Sequence, residues 1–98
     1  MWRQGDILMM PIRELPADAR LRPDLVLAEG ERTGHRHRIA ETGGALLFER
    51  GTDLFLGVKA ESVTVVHDEH KPIVLNQGRY RVWRQREYSP MEDRFVED

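Results

Sequence analysis

With 98 residues, 40% hydrophobic and 33% charged, the chain has room for one domain and one core, and its make-up is that of a soluble protein. The absence of cysteine removes disulfide frameworks, thiolate metal sites and cysteine nucleophiles, so nitrogen and oxygen must hold any metal. A formal net charge of −2 gives no overall attraction to nucleic acid or anionic membranes.

In chain order, Met1-Trp2-Arg3 leads directly toward a strand with no apolar leader segment, so a cytoplasmic location with no membrane association is expected. Gly5-Asp6 opens an apolar run at 7–12 that reads as the first strand. Residues 13–24, with Pro16 and Pro23, form a polar connection in which 17–21 has room for a short helical turn only. Strands follow at 25–28, 35–39 and 45–49, separated by glycine turns. Gly51-Thr52-Asp53 turns the chain into a hairpin partner at 54–58. Residues 63–67 alternate, with Val63, Val65 and His67 on one face and Thr64 and Val66 on the other. A short strand at 72–75 and a long one at 79–88 complete the series, and 89–98 form an acidic tail. No helical stripe of useful length occurs. The reading is a single all-β domain over 1–98 with about seven strands, a small barrel or sandwich, with a jelly roll among the possible arrangements.

The chemistry is concentrated in the histidines. All four lie in two tight pairs, His35 and His37, then His67 and His70. Histidine is the commonest metal ligand and titrates near neutrality. Two residues apart in a strand, His35 and His37 project from one face, as capture of a single ion requires. His67 ends an alternating strand, and a turn at Asp68-Glu69 would return His70 to its side. Glu41 and Glu69 are candidate oxygen ligands beside these nitrogens. Such a donor set suits zinc, iron, manganese or nickel alike, so the expected cofactor is a divalent transition metal. Hydrolysis and oxygen chemistry at that metal both stay open, as does the absence of any catalysis.

The order Gly30, His35, His37, Glu41 resembles the first motif of the cupins, and His67 or His70 stands where a later cupin strand supplies its third histidine. The second cupin motif, with Pro-x-Gly ahead of its histidine, is missing. A broader likeness covers nearly the whole chain. Gly5-Asp6-Ile7-Leu8, Thr33-Gly34-His35-x-His37, His67-x-Glu69-His70-x-Pro72-Ile73 and Gly78-x-Tyr80-Arg81-Val82-x-Arg84-Gln85-Arg86-Glu87-Tyr88 are similar to a family of small bacterial and phage proteins without an assigned activity. That resemblance implies a stand-alone domain and no particular mechanism.

The strand at 79–88 carries Arg79, Arg81, Arg84 and Arg86 among Tyr80, Trp83 and Tyr88. Arginine with aromatics grips phosphates and stacks on bases, yet the same residues can cover core and pair with acids. Nucleic acid is therefore not the expected partner. Arg81 or Arg84 is a candidate for holding a small anionic ligand near the histidines. The competing reading is a non-enzymatic module that pairs its strand edges in a homo-oligomer, with structural histidines.

Overall fold

The computed structural model describes residues 1–30 and 34–85. The protein is all-β, one sheet of antiparallel strands curled into a half-barrel. Its strands are β1 (Trp2–Gln4), β2 (Ile7–Ile12), β3 (Arg20–Leu21), β4 (Val26–Glu29), β5 (Arg36–Ile39), β6 (Ala45–Arg50), β7 (Asp53–His67) and β8 (His70–Arg84). The main path runs β1-β2-β8-β7-β5-β4, with β6 paired to β7 and to β3. No helix among the described residues is long and apolar enough to cross a membrane.

Two pairs of separate expected strands are each one continuous strand. The runs at 54–58 and 63–67 join as β7, and those at 72–75 and 79–88 join as β8, which ends at Arg84. Residues 86–88 and the acidic tail lie outside the described residues. The polar stretch 59–62 lies between the two expected runs, and a register shift between Val58 and Ser62 takes up the irregularity before the ladder with β8 resumes. Opposite Val58 stands Gly78 with φ 154°, a conformation that suits glycine. At this bend β7 also changes partner. Its first half pairs with β6 through Ala45↔Val58, and its second half pairs with β5 through Ile39↔Val65. The short β1 and β3 were too brief to show a period. Where a helical turn was expected, Ala19 N–H donates to Pro16 O at 3.2 Å and the chain passes directly into β3.

Alternation decides which face is buried. Val63 and Val65 are fully enclosed, as are Leu47, Leu56, Leu75 and Val82 from the strands alongside. Met9 and Ile7 of β2 join them from the other edge. The bend in the β7–β8 hairpin brings its tip back over the Gly5-Asp6 turn between β1 and β2: the Gln4 side chain bonds Val65 O and Lys71 O.

Candidate metal centre

The histidines meet at this tip. β5 runs antiparallel to β7 with Arg38 opposite Val66, so the beginning of β5 lies beside the end of β7. His35 and His37, two residues apart, reach toward that end. Asp68-Glu69 makes the turn between β7 and β8, and His67 pairs directly with His70 across it. Ring centroids are 4.2 Å apart for His37 and His67, 4.7 Å for His67 and His70, 5.7 Å for His35 and His67, and 5.9 Å for His37 and His70. Both sequence pairs thus form one cluster.

His37 is its buried member, 4% exposed. Its Nδ1 lies 2.9 Å from Gln4 Oε1. Gln4 is itself buried, and its Nε2 donates to Val65 O at 3.1 Å and Lys71 O at 2.8 Å, fixing the amide. Burial first, and then the adjoining His67, push the His37 imidazole down to about 4, while Asp6 works in the other direction. His37 is therefore neutral at pH 7, the form that coordinates a metal. Its Nε2 lies 3.6 Å from Asp6 Oδ1, and the other oxygen of Asp6 is 3.0 Å from Arg84 Nε. Gly5 completes the floor. With φ 61° it sits where a Cβ would come 2.8 Å from His70 Nε2 and 3.3 Å from His37 Cε1, so only glycine lets these two rings pack so close to the turn.

The remaining sites divide. His35 lies between the turn carboxylates, its Nε2 3.6 Å from Asp68 and its Nδ1 3.7 Å from Glu69. Glu69 therefore stands at the cluster, and its backbone N–H donates to His67 Nδ1 at 3.0 Å. Glu41 is placed differently. Its two oxygens accept from the N–H and the hydroxyl of Thr64, each at 2.8 Å, bonds that lower its pKa, and no ion pair joins it to a histidine. Its role is to tie the end of β5 to β7. Arg84 reaches the rim through Asp6 and donates to Glu29 O at 2.9 Å. Arg81 is engaged elsewhere, 3.1 Å from Asp53 and 4.7 Å over the Trp83 ring. Gln4, which ends β1, and the Gly5-Asp6 turn after it escaped the sequence reading because they lie far along the chain from either histidine pair. The Gly5-Asp6 dipeptide was visible only as a strand start.

As donors, four imidazoles with Asp6, Asp68 and Glu69 beside them suit a divalent transition metal. Among the described residues, however, no group of three or more histidines and carboxylates converges well enough to hold an ion as it stands. A separate depression of about 550 Å³, at the bend, is lined by Leu46, Phe48, Gly57, Lys59 and Gly78 among others, and by no member of the cluster.

Neither the curated proteins nor the solved structures contain a match to the chain. Residues 3–85 match a domain of unknown function, DUF8820, and the chain belongs to that family.

Proposed function

We propose that this protein is a metal-binding β-domain whose histidine cluster takes one divalent transition-metal ion per chain. The observation that carries the reading is the meeting of all four imidazoles at one tip, from two pairs distant in sequence. Chance histidines have no reason to gather at one tip from two distant pairs, and gathering them in the absence of an ion brings cationic groups together as pH falls. Burial keeps His37 neutral, Gln4 fixes its ring, and carboxylates stand next in line, the usual surroundings of a metal-bound imidazole. Zinc, iron, manganese and nickel all suit the donors. A bound ion supplies Lewis acidity and a lowered pKa for coordinated water. The chain's own residues orient the rings and, through Arg84 and Asp6, set the charge at the rim.

Titration of metal-free protein with zinc or cobalt(II) tests this. One ion per chain is expected, and His37→Ala and His70→Ala should each weaken binding by about 100-fold or more, because each removes a nitrogen ligand. Two ions per chain, with one retained in each variant, would show separate sites. No binding at micromolar metal would end the proposal.

A further inference from the structure

The hydrogen bonds that pin two of the four imidazoles put them in opposite tautomers. Gln4 Nε2 faces two backbone carbonyls, Val65 O and Lys71 O, so Oε1 is the atom that meets His37 Nδ1 at 2.9 Å. An amide oxygen only accepts, so Nδ1 of His37 carries the proton and Nε2 keeps its lone pair. At His67 the order is reversed. The Glu69 backbone N–H donates to Nδ1 at 3.0 Å, so the neutral ring holds its proton on Nε2.

We infer that the histidines divide in role: His37 ligates through Nε2, and His67 is an N–H donor held beside the ion and outside its ligand set. The ligand half of this inference rests on the metal reading above, whereas the tautomers stand without it. A neutral imidazole has one lone pair to give. For His67 to ligate through Nε2, its proton must move to Nδ1 and face the Glu69 N–H, donor against donor. That breaks the hydrogen bond that closes the Asp68-Glu69 turn. His37 meets no such conflict, since ligation through Nε2 leaves its Nδ1–H bond to Gln4 Oε1 intact. His70, whose ring lies 5.9 Å from that of His37, is the second nitrogen ligand, and Asp6, 3.6 Å from His37 Nε2, is the carboxylate placed to join them. Asp6 takes the part that Glu41, held by Thr64, does not fill. The His67 ring, its centroid 4.2 Å from that of His37, would offer this N–H to a group bound at the ion.

Two measurements test this. Long-range proton–nitrogen correlation spectra of the ¹⁵N-labelled, metal-free protein at neutral pH report which ring nitrogen carries hydrogen. His37 as the Nδ1–H form and His67 as the Nε2–H form is expected, and the reverse at either ring would overturn the assignment. Zinc affinity of His67→Gln and His37→Gln then tests the roles. Glutamine keeps a donor at 67 but replaces a ligand at 37, so His67→Gln should lose less than about 10-fold and His37→Gln more than about 100-fold. Equal losses would make His67 a ligand and sink the division. If the wild-type protein binds no ion, the metal reading falls with the ligand roles, and the spectra still decide the tautomers.

Discussion

Gln4 shows how one uncharged side chain organises the candidate site. Its amide makes three contacts, to His37 Nδ1, Val65 O and Lys71 O, and thereby joins β1, β5 and the β7–β8 tip. It is 2% exposed, so no water replaces a lost partner easily. Gln4→Met keeps the volume and removes every one of these bonds. The buried His37 N–H and the two carbonyls would then be unsatisfied, and a loss of about 2–4 kcal/mol is expected by urea denaturation at unchanged slope. A loss below about 0.5 kcal/mol would mean that the rings are held by packing alone. None of this was legible in the sequence. A glutamine near the start of a chain carries no pattern, and neither does Asp6, because both acquire meaning only from residues that the fold brings to them. The histidines differ: their rarity and pairing are visible without a structure, and their shared strand face follows from a period of two.

At the scale of elements, alternation was a sound guide and continuity was not. Val63 and Val65 inward with Thr64 and Val66 outward is what the sequence pattern dictates for a sheet with one buried face. The same rule applies within β8, where Leu75 is fully buried and its neighbour Val74 is 58% exposed. Leu75→Ala should therefore cost about 2–5 kcal/mol, and Val74→Ala about 0.5 kcal/mol or less, measured as urea midpoints. Comparable losses at both would contradict the one-sided burial of the hairpin. What the pattern hid was that residues 59–62 and Gly78 bend strands without ending them. A run of Lys59, Ala60, Glu61 and Ser62 has the composition of a turn, and only the register with β8 shows it as a bulge where β7 exchanges β6 for β5.

Across the whole molecule, the curl of the sheet couples stability to pH through His37. The half-barrel encloses that ring among Gln4, His67, His70 and Gly5, and burial holds its pKa at about 4 against an ordinary value of 6.5. The sign follows from proton counts. Between pH 6.5 and 4 the unfolded chain binds a proton at this position and the folded chain does not, so stability rises with pH across that window. The contribution is complete above 6.5, is lost as pH falls toward 4, and changes no further below it. Its full size is on the order of 3 kcal/mol, from the shift multiplied by the free energy of one pKa unit. Denaturation of the metal-free protein at pH 7.5, 5.5 and 4 should show this decline, and His37→Gln should remove most of the slope, because glutamine does not titrate. If the variant keeps the wild-type slope in that window, other groups govern the acid sensitivity. With zinc present the decline should be steeper, since protons then compete for the ligand imidazoles as well and the ion stabilises only the native state.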